Sequence, residues 1–358
     1  MATFDVVFEG GGAKGVALSG AVSALLEAGH ALGRLVGTSA GAITATNLAA
    51  GYAPAEILAG STERTPSGAP IYTTFADAPQ LSDAEIEHSG PFQLLREVVP
   101  FGQRMELAVG RAVSHLPMMA SLALLSEQGG LHRGDGFLKW MYDCLESRGS
   151  GLGKATLGQL YGHTGRDLSV VATDTSDQRM LVLNHRTAPD VPVVWAVRMS
   201  MSIPFYWTEV RWDPAWGTYL GRNLDGHAVV DGGVVSNFPL FLFTDPSAAE
   251  VRALMGEGTG HDVVGLYLDP ELEVPGAPAP AAPPHALHSR ISALLDTLMS
   301  ARDNATFDAH ADRVVRLPVR GYGTTEFDMG PERVAALYEG AAAAARAWLD
   351  RRSTPRSR

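Results

Sequence analysis

The chain has 358 residues, 46% of them hydrophobic and 19% charged, a balance that can bury a sizeable core and excludes a disordered or fibrous polymer. Its net charge of -11 excludes nucleic acid as a bulk partner and makes electrostatic docking on anionic membrane a minor term, because both need a basic surface. A single cysteine, Cys144, excludes an intrachain disulfide and suits a reducing compartment.

The chain opens without a basic segment followed by an apolar one and runs directly into a strand over residues 4–8. That reads as a chain with no cleaved signal, expected in the cytoplasm and at most peripheral at membranes. Apolar residues at helical spacing follow over 16–27, with Gly29 as the stop. A short second strand over 35–36 halts at Gly37, and a second helix over 40–50 ends at Gly51. Two strand-to-helix turns thus fall at carboxyl ends of strands, the edge on which open α/β sheets build their sites.

From 52 to 130 the texture changes to Pro-, Ser- and Thr-rich loops with helical spacing over 92–99 and 104–127. This stretch is expected to be a helical insertion, either a cover over the site or peripheral core. Its most apolar part, 107–125, carries Arg111, His115 and Pro117 and falls short of a span of about 20 apolar residues. Asp135 reads as the N-cap of a helix over 136–146, and 168–173 and 180–184 read as strands.

A helix over 194–199 runs into a small-residue turn over 200–204, and a strand over 227–230 ends at Asp231-Gly232-Gly233. After a further strand over 263–268 comes a Pro/Ala-rich loop over 275–284. A helix over 288–310, a strand over 314–318, a helix over 331–349 and a flexible tail over 351–358 complete the prediction. Strands alternating with helices predict a single domain over 1–350, a three-layer α/β/α fold around a central mixed, mostly parallel sheet.

Three short elements carry chemistry. Gly37-Thr38-Ser39-Ala40-Gly41 is a G-x-S-x-G between a strand and a helix, the setting of a nucleophile elbow. Flanking glycines relieve crowding in a strained turn, and the helix N-terminus favours a developing alkoxide. Gly10-Gly11-Gly12-Ala13-Lys14-Gly15 follows the first strand, and its backbone N–H groups can approach a reacting carbonyl as an oxyanion hole requires. The same six residues match G-x-G-x-x-G, but a dinucleotide site needs an acidic residue at the end of the second strand, and 29–46 contains none. Asp231 lies at the carboxyl end of a strand, so its carboxylate is expected to emerge at the same sheet edge as Ser39. An exposed aspartate, pKa about 3.9, is a poor base, whereas burial raises its proton affinity; Asp-Gly-Gly alone is more often merely a turn.

Taken in order, the glycine run, the G-x-S-x-G and the distant D-G-G resemble the patatin-like phospholipase family. Met199-Ser200-Met201-Ser202-Ile203-Pro204-Phe205 is similar to that family's S-x-S-I-P block, and Val234-Val235-Ser236-Asn237-Phe238-Pro239 to its continuation after D-G-G. The resemblance implies Ser39 as nucleophile, Asp231 as base, and Gly10, Gly11 and Gly12 lining the oxyanion hole. Lys14 stands where the family often has a basic residue, a candidate contact for a phosphate head group or an ordinary solvated lysine. Ser200 and Ser202 are expected to make structural turn hydrogen bonds.

The implied partner is a lipid ester, a phospholipid or lysophospholipid, with transient contact at a membrane surface. No cofactor and no metal is implied. Two alternatives stay open: a Ser-His-Asp esterase using Ser39, Asp231 and His261 or His285, and a partner-activated protein acting mainly as a binding module.

Overall fold

The computed structural model describes residues 1–75, 83–90, 93, 117–278, 297, 309–324 and 326–353. The predicted helices over 92–99 and 288–310, most of the loop over 275–284 and the first part of the helix over 104–127 lie outside these residues, as does His285.

The strands are β1 (Thr3–Phe8), β2 (Ala31–Thr38), β3 (Gly130–His132), β4 (Leu168–Asp174), β5 (Arg179–Asn184), β6 (Phe205–Trp207), β7 (Val210–Arg211), β8 (Ala228–Asp231), β9 (Asp262–Glu273) and β10 (Val314–Arg320). The main sheet runs β10-β9-β1-β2-β4-β8-β7, with β5 also paired to β4. β10, β9, β1, β2 and β4 are parallel, and β5, β8 and β7 add antiparallel pairs at one side. A separate pair joins β3 and β6.

Period-two alternation along these strands divides the core between two faces. Phe4, Val6, Phe8, Leu35 and Val170 point into a layer with helices Val16–Glu27, Ala40–Ala49, Val193–Ser200 and Pro331–Ser353. Val7, Val36, Val171 and Val182 point the other way, onto Phe238, Leu240, Leu242, Phe243, Val251 and Met255. The fold is therefore a three-layer α/β/α arrangement with a mixed, mostly parallel sheet, as the sequence predicts.

Several boundaries differ from the prediction. β2 begins at Ala31 rather than at residue 35, because Arg34, a poor strand signal, is buried by donating its backbone N–H and its guanidinium to Asp5 of β1. The helix predicted over 136–146 is Asp135–Arg148, and its N-cap is Gly134 in the left-handed region (φ 75°), not Asp135. Residues 351–353, predicted as tail, continue the last helix.

One edge of β4 is shared end to end. β5 occupies one side of β4 from Ser169 to Asp174, so β2 and β8 must both lie along the other. β2 pairs with Leu168 to Val171 and stops; β8 runs in from the opposite direction and pairs with Ala172 to Asp174. Thr38 is opposite Val171 and Asp231 opposite Ala172. The residue after Thr38 and the last residue of β8 therefore meet head to head.

Candidate active site

Ser39 follows Thr38 at that junction, and its backbone is strained at φ 52° and ψ -120°. For a non-glycine residue such a conformation costs about 1–3 kcal/mol and persists only when its surroundings enforce it. Close packing supplies part of the enforcement: a Cβ on Gly37 would lie 2.3 Å from the Gly41 carbonyl oxygen, and one on Gly41 2.3 Å from that of Phe8. Both glycines of G-x-S-x-G are thus required by the approach of helix Ala40–Ala49 to β1 and β2.

The turn after helix Val193–Ser200 supplies the rest. Ser200 Oγ accepts the Ser39 N–H at 2.9 Å and donates to the Val171 carbonyl at 2.6 Å. Ser202 O accepts the Asp231 N–H at 2.9 Å, while its hydroxyl donates to Arg198 O at 2.6 Å. Arg198, buried, donates to that same Ser202 hydroxyl and to the carbonyls of Arg133 and Thr208. Residues 198–202 therefore hold the backbones on both sides of the junction.

Asp231 is fully buried and Ser39 2% exposed. Asp231 Oδ1 accepts the Gly233 N–H at 2.7 Å, and Oδ2 makes no hydrogen bond of ordinary length. Burial pushes the carboxyl up from 3.8 to about 7; the Gly233 N–H and the Ser39 hydroxyl, which stands close enough to act on it, pull the other way. Ser39 and Asp231 are thus brought together, with one carboxylate oxygen left for the serine.

The glycine run lies alongside. Gly10 donates its N–H to Asn237 O at 3.1 Å, while Asn237 Nδ2 donates to Gly10 O at 3.0 Å and to Glu9 Oε1 at 3.2 Å. The Gly10 N–H is therefore already engaged, and Gly10 is better understood as a spacer: a Cβ there would meet Asn237 Oδ1 at 2.2 Å and Ser39 Cβ at 3.1 Å. The N–H groups of Gly11 and Gly12 have no acceptor among the described residues. Gly12 sits at φ 55° with Thr324 O 2.1 Å from where its Cβ would be. Lys14 is half-buried on the same turn and is not part of the cleft lining.

A cleft that Ser39 lines opens on this side of the sheet. Gly12, Ala13, Gly15 and Val16 form one wall; Ala40, Ile43, Thr44 and Asn47 on one face of their helix form another. Tyr72, Phe75, Trp140, Trp207 and Phe327 close it with aromatic rings, and Met201 and Ile203 come from the turn that supports Ser39. Tyr52, Ile57 and Ser61 also line it, so the described part of 52–130 contributes cleft wall. Cys144 lines it as well, but burial and the nearby Glu63 and Asp143 carboxylates push its thiol up to about 11, so it is not a thiolate nucleophile at neutral pH.

Among the described residues no histidine lines the cleft. His261 directly precedes β9 and contacts Asp5 Oδ1 through Nδ1 at 2.9 Å. β9 is parallel to β1, so His261 lies at the amino edge of the sheet, opposite Ser39, and the triad through His261 is excluded by topology. Asp174, Asp177 and His227 could gather ligand atoms within 4.8 Å of one another, but Asp174 already contacts His227 at 2.9 Å and Asp177 pairs with Arg222. No described helix is long and apolar enough to cross a membrane.

The sequence reading did not identify Asn237 as the tie between the glycine run and the segment after Asp231, nor the aromatic residues of the cleft. The first is signalled by the V-V-S-N-F-P block; the second come from separate segments with no shared spacing.

The chain is similar to several known proteins. The family model described as patatin-like phospholipase matches residues 6–65 and 94–244, more than half of the chain. A protein of Bacillus subtilis, the uncharacterized protein YqhO, is 30% identical over 345 residues, 94% of each chain. Among solved structures, VipD from Legionella pneumophila matches at TM-score 0.47 and 17% identity, over 97% of this chain and 67% of VipD. ExoU of Pseudomonas aeruginosa matches at TM-score 0.42 and 19% identity; this chain spans about half of its length, 53%.

Proposed function

This chain belongs to the patatin-like phospholipase family, and from that premise we propose that it is a lipid acyl-hydrolase that cleaves a carboxylic ester with Ser39 and Asp231. The observation that carries the proposal is the meeting of a strained serine, which lines a mainly apolar cleft, with a fully buried carboxylate of pKa about 7.

The acyl chain lies in the cleft with its ester carbonyl at Ser39. Ser39 Oγ attacks the carbonyl carbon while Asp231 Oδ2 takes the serine proton. A carboxyl near pKa 7 is matched to the working pH, where base strength and availability are both adequate. The N–H groups of Gly11 and Gly12 donate to the tetrahedral oxyanion, assisted by the positive end of helix Ala40–Ala49. Collapse expels the alcohol, which takes the proton from Asp231 and leaves an acyl-Ser39. Water, deprotonated by the same carboxylate, then releases the fatty acid. Histidine has no step in this scheme, and Lys14 acts at most on the head group outside the cleft.

The test is product profiling by mass spectrometry on mixed phospholipids, lysophospholipids and glycerides, alongside labelling with a fluorophosphonate. Wild type releases fatty acid and is labelled; Ser39→Ala does neither. Release that persists in Ser39→Ala would overturn the assignment.

A further inference from the structure

Asn47 is the exception among the polar groups of the cleft. It is 4% exposed and lines the cleft, yet its Oδ1 is buried without a partner, and its side chain makes no hydrogen bond among the described residues. The neighbouring hydrogen-bonding side chains are engaged. Thr44 donates to Ala40 O at 3.1 Å, Ser61 to Ile57 O at 2.8 Å and Tyr52 to Cys144 O at 2.8 Å; Tyr72 bonds to Ser61. A buried amide left unpaired in apolar surroundings is disfavoured unless something else completes it.

Its position along the wall is fixed by the helix. Ala40, Ile43, Thr44 and Asn47 recur at helical spacing on the cleft face. Asn47 lies eight residues beyond Ser39, about 12 Å along the axis at 1.5 Å per residue. An extended chain advances roughly 1.2 Å per bond, so an acyl chain anchored at Ser39 reaches Asn47 about ten bonds from its carbonyl.

Resting on the acyl-hydrolase reading above, we infer that Asn47 is a specificity residue for oxygenated acyl chains: the cleft accepts an acyl group bearing a hydroxyl near its tenth carbon, paired to the Asn47 amide. The amide can accept from the hydroxyl and donate to it, so both partners are satisfied in the bound state. A plain hydrocarbon chain fills the same space and leaves the amide unpaired. Sites built to hydrogen-bond a substrate hydroxyl discriminate strongly against the analogue that lacks it.

The experiment compares 4-nitrophenyl esters of dodecanoate, 10-hydroxydodecanoate and 3-hydroxydodecanoate with wild type and Asn47→Leu, which has nearly the same volume and no hydrogen-bonding group. In wild type, kcat/KM for the 10-hydroxy ester exceeds that for the plain ester by about tenfold or more, and the 3-hydroxy ester gains no such advantage. In Asn47→Leu the ratio of 10-hydroxy to plain falls to one or below, mainly through KM. Circular dichroism checks that the variant folds; if it does not, Asn47→Asp and the wild-type ratios alone carry the test. Equal rates on all three esters in wild type, or a 10-hydroxy preference that survives in folded Asn47→Leu, would overturn the role of Asn47 while leaving the hydrolase reading standing. No hydrolysis of any ester would instead count against the hydrolase reading itself.

Discussion

Ser200 Oγ accepts the backbone N–H of Ser39 at 2.9 Å and donates its own O–H to Val171 O at 2.6 Å. One buried hydroxyl thus ties the nucleophile's strained backbone to β4. Removing it leaves a buried N–H and a buried carbonyl each short of a partner, a penalty of about 1–3 kcal/mol per group. Ser200→Ala is therefore expected to lower kcat about 10- to 100-fold with little change in KM, and to lower Tm. Steady-state kinetics and thermal melts check this; wild-type kcat would show that packing alone holds Ser39.

In the proposed mechanism only the ionised form of Asp231 accepts the serine proton, so activity is expected to rise with pH on a limb centred near 7. The effect on stability has the opposite direction. Because the folded value, about 7, lies above the ordinary 3.8, the folded state holds the proton more tightly, and stability is highest below pH 3.8 and lost as pH rises through 7. The buried carboxylate then costs a few kcal/mol, at most ~4 from three units at 1.36 kcal/mol each. Asp231→Asn is expected to lose activity by at least about 10³-fold and to melt at a higher temperature than wild type, by more at pH 8 than at pH 5. Equal differences at both values would contradict the buried-charge account.

Gly12→Ala places a methyl 2.1 Å from Thr324 O at a residue with φ 55°. The turn must shift and carry the Gly12 N–H away from the oxyanion. Loss of one such donor lowers kcat about 10²- to 10³-fold, and single-turnover acylation measures it directly.

His261 is separated from Ser39 by the depth of the sheet, and its contact is with Asp5. His261→Ala is expected to keep kcat/KM within about twofold while lowering Tm slightly, the pattern of a half-exposed contact remote from the site. A large fall in kcat would revive a histidine-dependent mechanism.

Ile43 faces the cleft one turn beyond Ser39. Ile43→Trp should block the channel beyond the first carbons and move the preferred chain length towards shorter acyl groups. A chain-length series of 4-nitrophenyl esters reads the shift; an unchanged optimum would mean the acyl chain lies elsewhere.

The elements of the candidate site were legible in the sequence because they are local. A glycine turn, an elbow and a strand-terminal aspartate each occupy a few consecutive residues whose backbone demands can be read from the types present. The direction of β8 was not legible. Four residues, Ala228 to Asp231, carry no mark of which way they run, and the expectation that Asp231 and Ser39 leave a common carboxyl edge does not describe how they meet. They meet because β8 enters antiparallel and stops opposite Ala172. Arg34 shows the same limit: its place in β2 depends on Asp5, remote in sequence, which pairs with it. The cleft is assembled from Phe75, Trp207 and Phe327, whose proximity only the folded chain creates.

The abutment of β2 and β8 makes β4 a measuring rod for the candidate site. Ser39 and Asp231 are registered by counting residues on one short strand, each worth about 3.3 Å. Sliding either strand by a single residue would part them beyond proton transfer and turn alternate side chains to the wrong face. The length of chain between Ser39 and Asp231 has no part in that measurement. Segments inserted there can grow, shrink or exchange their cleft-facing residues while the distance between the two groups stays constant. In the proposed hydrolase the architecture thus separates the residues that would select the acyl group from the strand register that would fix the geometry of attack.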